Sequence, residues 1–208
     1  MTTSTLLKKY SEYLLEHGKR PVTIYAFAKQ AKIEESAFYG HFASFDHMEA
    51  TFFTHWFDAT LKACSKVKGF EEYASRDKLL TFYFGFFEQL TANRSLVLLL
   101  LEENGLKNKL SHLKKLRSKF LDFFNSLDFP SADLPIEELN KYKNKALGEG
   151  AWAQFLFILK YWMKDESPSF EKTDVLIEKS IDTGFSLIAS SPLDKVLDLG
   201  KFLVKDHF

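Results

Sequence analysis

Apolar residues recur every three or four positions along almost the whole chain, and no stretch alternates with the period of two that a half-buried strand requires. Leu6, Leu7, Tyr10, Tyr13, Leu14 and His17 fall on one face of a first helix, which Gly18 is placed to end as a C-cap. Thr23 is a natural cap for a second helix carrying Ile24, Phe27, Ala28 and Ala31 on one side. A short third helix is expected from Glu35 to about His41. Ser44 then caps a long fourth helix that carries Met48, Phe52, Trp56 and Leu61 to about Val67, with Asp46 in its first turn.

Beyond Gly69 the helical period resumes at about Ser75. Leu79, Leu80, Phe82, Tyr83, Phe86, Phe87 and Leu90 make that helix apolar almost all round, as a central element should be. SLVLLLLEEN follows and is closed by Gly105, and an amphipathic helix spans Leu106 to Leu127. The loop DFPSADLP, with two prolines, is the clearest linker. Three further helices are expected: Ile136 to about Lys164, Phe170 to Ala189, and Leu193 to Val204. The pattern predicts an all-α chain of nine to eleven helices.

Composition sharpens this picture. The 208 residues hold 28 Lys and Arg against 28 Asp and Glu, 22 Phe and a single cysteine, Cys64. A lone cysteine excludes an intramolecular disulfide framework and fits a reducing compartment. The longest apolar run, Leu96 to Leu101, is far short of the ~20 residues of a membrane span. The N-terminus has Lys8 and Lys9 within an amphipathic pattern and no cleavage site, unlike a signal peptide. A cytoplasmic location is therefore expected. The histidines form no His-Glu-x-x-His motif, and His47 and His55 lie two helical turns apart, too far to share one ion unaided. No nucleophile elbow, phosphate loop or dinucleotide fingerprint occurs. The sequence thus suggests no enzyme, no cofactor and no metal site.

The most informative stretch is TIYAFAKQAKIEESAFYGHFASFDHMEATF, Thr23 to Phe52. A helix, a tight turn and a second short helix make a helix-turn-helix, whose second helix enters a major groove in DNA-binding proteins. Thr23, Phe27-Ala28, Ala31, Ile33, Phe38-Tyr39, Phe42, Ser44, Asp46 and Met48 resemble the TetR family of bacterial one-component transcriptional repressors. The resemblance implies a helix-turn-helix domain (1–46) followed by a helical ligand-binding and dimerisation domain (47–208). It further implies a homodimer with double-stranded operator DNA and a small ligand as partners. Lys19, Arg20, Thr23, Glu35, Ser36, Ala37, Tyr39, Gly40, His41 and Ser44 are the positions it assigns to DNA.

The departures from the family pattern are specific. Lys32 stands where the turn usually has glycine, and Glu34 replaces the usual Ser or Thr cap. Ser36 stands for a small glycine, Ala37 for a threonine and Phe45 for a lysine. Residues 1–50 carry Lys8, Lys9, Lys19, Arg20, Lys29 and Lys32 against Glu12, Glu16, Glu34, Glu35, Asp46 and Glu49, so the module is neutral. Cationic contacts to phosphate supply most non-specific DNA affinity, which leaves a helix-turn-helix kept only as scaffold as the alternative.

The second domain is expected to enclose a pocket, lined by Phe82, Phe86, Leu98, Phe120, Phe124, Trp152, Phe155, Phe157 and Leu159. An excess of Phe favours an apolar effector. Gly148 and Gly150 inside a helix suggest close helix contact, a kink or ligand approach. Tyr161 to Ile188 also resembles the C-terminal region of the TetR-like accessory protein of coenzyme Q biosynthesis, which implies an isoprenoid or other lipid ligand in the alternative reading. Asp165 and Ser167 with Pro168 equally explain a stop between two helices by capping alone. Because the last two long helices form the twofold bundle in the repressor family, Tyr161, Trp162, Ile177, Ile181, Phe185 and Ile188 are the expected dimer contacts. The basic run Lys107 to Lys119 reads as a solvated helix face or a surface for anionic partners.

Overall fold

The computed structural model describes residues 2–102, 105–129 and 137–189. Within them the chain forms α1 (Thr3–His17), α2 (Ile24–Gln30), α3 (Glu35–Tyr39), α4 (Phe45–Cys64), α5 (Ser75–Ala92), α6 (Arg94–Glu102), α7 (Gly105–Asn125), α8 (Glu137–Trp162) and α9 (Glu171–Ala189). Short 3-10 turns at Phe70–Glu72 and Pro168–Phe170 join them, and no strand occurs among the described residues. The expected helix from Leu193 to Val204 lies outside those residues.

The caps are where the sequence puts them. Gly18 ends α1 in the left-handed region and returns its N–H to Leu14. The hydroxyls of Thr23 and Ser44 accept the N–H groups of Ala26 and His47 and start α2 and α4. α3 and α4 end two and three residues earlier than the apolar period suggests, because the next amides, of His41 and Lys66, tighten to bonds three residues back, onto Phe38 and Ala63. Gly105 begins α7 rather than merely closing the segment before it.

The chain divides into two compact units, and the division differs from a boundary at residue 46. One unit comprises residues 1–67 and 85–119; the other comprises 68–84 and 120–208. The reason is the apolar load of α4. Met48, Phe52, Phe53, Trp56 and Phe57 are all buried, and α1 packs on α6, so α4 is core to the first unit rather than a spacer. The centre of that unit is aromatic. Tyr10 stacks on Phe45 at 5.3 Å, and Phe38 meets Phe27 and Phe45 edge-on at 6.2 and 5.6 Å. Each such buried ring contributes on the order of 2–3 kcal/mol, plus a smaller ring-ring term.

In the second unit α8 packs against α9. Phe120, Trp152 and Phe155 lie 5.2–5.7 Å from one another, with Phe82 and Tyr83 against Phe120. The turn from α8 to α9 is locked by Asp165. One carboxylate oxygen accepts the backbone N–H and hydroxyl of Ser167; the other accepts those of Thr173. Burial pushes this carboxyl upward, but the hydrogen bonds from Thr173 and Ser167 outweigh it and hold the pKa at about 2.

Candidate functional site

The helix-turn-helix is held from beneath by the aromatic core, with Phe27 and Phe38 buried between its two helices. Lys32 closes the turn with φ at 53°, the left-handed conformation for which the family uses glycine. Ile33 then donates its N–H to the Ala28 carbonyl at 2.9 Å. Glu34 makes no side-chain cap to α3. Ser36 and Tyr39 on α3 and Gly40 at its C-cap are exposed, Tyr39 by 54%. Glu35, Ala37 and His41 are partly covered, and the His41 ring shares a hydrogen bond with the Thr3 hydroxyl. Lys19 and Thr23 are exposed as well, while Thr23 and Ser44 also serve as caps.

Two cations of this module are engaged internally. Lys9 donates to the Ala31 carbonyl at the end of α2. Arg20 donates through Nε and Nη2 to the two carboxylate oxygens of Glu49 and through Nη2 to Asp46 at 2.7 Å. Glu49 is buried and also accepts the hydroxyl of buried Tyr10. Burial and then the Glu49 charge push the Tyr10 phenol far up; Glu49 raises Arg20 against the opposing effect of burial. Burial opposes ionisation of Asp46, but Arg20 outweighs it and holds this carboxyl below its ordinary range. His112 of α7 completes the cluster, its Nε2 3.3 Å from Glu49 and 3.7 Å from Asp46. Sequence reasoning missed this group, because 63 residues separate Glu49 from His112 and no local motif joins them.

The second unit contains a cavity of about 600 Å³ with a mainly apolar lining. Its walls are Leu79 of α5, Phe124 and Phe129, Ala146, Leu147, Gly150, Ala151 and Gln154 of α8, and Leu176, Ser180, Ile181, Gly184, Phe185 and Ile188 of α9. Gln154 Nε2 is buried and makes no hydrogen bond, which leaves a donor in an apolar wall. A groove of about 840 Å³ at the α8–α9 turn is instead lined by Lys160, Lys164, Glu166, Glu171 and Lys172 with Phe157 and Tyr161, a mixed-charge surface poorly matched to an apolar molecule.

Of the residues expected around a pocket, only Phe124 lines this cavity. Phe82, Phe120, Trp152, Phe155 and Leu159 are packed as solid core, and Phe157 faces solvent. Phe86 and Leu98 belong to the first unit. A run of phenylalanines at helical spacing fills space with its own rings; a cavity forms where side chains are small. Gly150 faces open space, whereas a side chain on Gly148 would meet Leu121 at 3.2 Å. Ligand approach is thus the fitting reading for Gly150, and close helix contact for Gly148. Small Ala146, Gly150 and Ala151 opposite Gly184 are the signal that sequence reading could have used.

The expected dimer residues also separate. Trp162, Ile177 and Ile181 are buried within their own unit and have almost no surface to offer a second copy. Ile181, Phe185 and Ile188 line the cavity, and only Tyr161 is well exposed. The large apolar residues presented outward on α8 and α9, among the described residues, are Tyr142, Phe157, Tyr161, Val175 and Leu187.

Residues 78–203 match the family model described as tetracyclin repressor-like, C-terminal domain. The matched span contains every residue that lines the apolar cavity. No curated protein matches the chain.

Proposed function

Because the chain belongs to the tetracycline repressor-like family, we propose that it is a transcriptional regulator that binds operator DNA as a homodimer and leaves it when a small apolar ligand enters the second unit. The observation that carries this reading is the cavity of about 600 Å³, a size usual for drug-like ligands, walled by α5, α7, α8 and α9. Its ligand has an apolar body and one hydrogen-bond acceptor for the Gln154 amide. The DNA-facing surface is α3 with Ser36, Tyr39 and Gly40, flanked by Lys19, Thr23 and Lys32. Phe157, Tyr161, Val175 and Leu187 provide the apolar face for the second copy, since isologous contact needs exposed, self-complementary area.

Ligand entry acts as a population shift, favouring a dimer whose recognition helices no longer match major-groove faces about 34–36 Å apart. The test is retardation of the chain's own upstream DNA at low salt, with N-phenyl-1-naphthylamine as the apolar probe. Sequence-selective binding that the probe weakens supports the reading; no selective binding overturns it.

A second reading, an accessory protein that binds a lipid and not DNA, is favoured by the capture of Arg20 by two carboxylates and by exposed Glu34 beside α3. Extraction of a co-purified isoprenoid or acyl lipid from a chain without DNA affinity would select it.

A further inference from the structure

Three donor atoms from distant parts of the sequence converge in the first unit. His112 Nε2 lies 3.3 Å from Glu49 Oε2 and 3.7 Å from Asp46 Oδ1, and the three atoms fall within 4.8 Å of one another. Ligands bound at about 2.0–2.1 Å to a tetrahedral ion stand about 3.3 Å apart, so two of these spacings are already close to those of a coordination shell. Asp46 and Glu49 are three residues apart on α4 and share its face. His112 is only 1% exposed, and its Nε2 faces the two carboxylates at ion-pair distance without a well-formed hydrogen bond. A buried imidazole nitrogen aimed at two carboxylate oxygens is the arrangement that a shared cation would complete.

The charges point the same way. Two carboxylates face one guanidinium, and Arg20 Nη2 sits 2.5 Å from Glu49 Oε2 and 2.7 Å from Asp46 Oδ1, the same two oxygens that face His112. We propose that Asp46, Glu49 and His112 form a binding site for a divalent transition-metal ion, which exchanges with the Arg20 guanidinium. Imidazole with two carboxylates suits zinc, iron(II), cobalt(II) or manganese(II). The other Glu49 oxygen keeps the Tyr10 hydroxyl, which orients the ligand from behind. Arg20 is already 26% exposed and lies just before α2, so on exchange it turns outward at the edge of the helix-turn-helix.

The probe is Co²⁺, titrated into the metal-stripped, untagged full chain and followed by its visible d–d absorption, with Zn²⁺ competition by calorimetry. The expected result is one equivalent per chain. Asp46→Asn and His112→Gln should each weaken it by at least about tenfold. Asp46 is 60% exposed, so its variant retains the core packing and keeps the test valid even where His112→Gln misfolds. Arg20→Gln should tighten binding, because it removes the competing cation. Absence of a d–d spectrum, an affinity unchanged in Asp46→Asn, or no tightening in Arg20→Gln overturns the proposal. These readouts involve no DNA and separate it from the regulator reading.

Discussion

Asp165→Asn tests the joint between α8 and α9 with a nearly isosteric change. The wild-type carboxylate accepts four hydrogen bonds, two from Ser167 and two from Thr173, at 2.6–2.9 Å. The amide keeps one acceptor oxygen for Ser167 and turns a donor toward the Thr173 N–H. A buried backbone donor then loses its partner, at a cost of about 1–3 kcal/mol. The charge gives a second route to the magnitude. A carboxyl held at about 2 in the fold, against an ordinary 3.8, contributes about 2 kcal/mol when ionised. Both routes give about 2 kcal/mol, or a fall in melting temperature of about 4–8 °C for a chain of this size.

The sign follows from the depressed pKa. The contribution is present above about pH 4 and is lost as pH falls toward 2. Nearby Asp174 is pushed upward by burial and then by the Asp165 charge, so the variant recovers a little through Asp174. Thermal unfolding followed by circular dichroism should show a gap between wild type and variant at pH 7 that narrows toward pH 2. A loss below about 0.5 kcal/mol at pH 7, or a gap independent of pH, would refute the reasoning.

Lys32→Gly should stabilise the chain by about 0.5–1 kcal/mol in urea unfolding, since relief of the left-handed strain exceeds the entropy cost of glycine; a loss of stability would contradict the turn geometry. Gly150→Phe should place a ring in the open space of the cavity and abolish N-phenyl-1-naphthylamine fluorescence enhancement while circular dichroism stays unchanged. Undiminished probe binding by a folded variant would remove the cavity from the account. Cys64 is buried, and burial pushes its thiol up, so Ellman's reagent should label it only after denaturation. Rapid labelling of the native chain would contradict its packing.

The helices were largely legible because their caps and apolar stripes are local. Thr23, Ser44 and Gly18 act within a few residues of themselves, and one sequence window contains all the information. The cavity was not legible in the same way. It depends on which faces of α8 and α9 oppose each other and on small residues leaving space, so Phe120 and Trp152 proved to be filling while Gly150 and Gly184 bound the void. The bundle-facing residues split for a related reason. Amphipathicity marks an apolar stripe on α9 but does not say whether Ile177 meets its own unit or a second copy. His112 shows the limit most clearly, since nothing near it in sequence foretells Asp46 and Glu49. Neutrality of the first fifty residues was readable, yet its consequence was not: Lys9 and Arg20 are engaged in internal contacts, and the exposed cations of the module are Lys8, Lys19, Lys29 and Lys32.

The central claim is that this helix-turn-helix reads DNA. Selection of bound sequences from a random duplex pool by the purified full-length chain, at low salt, addresses it directly. The account predicts enrichment of a twofold-symmetric site with half-sites about one helical turn apart, and loss of that enrichment in Tyr39→Ala. A pool that stays random through successive rounds would contradict it.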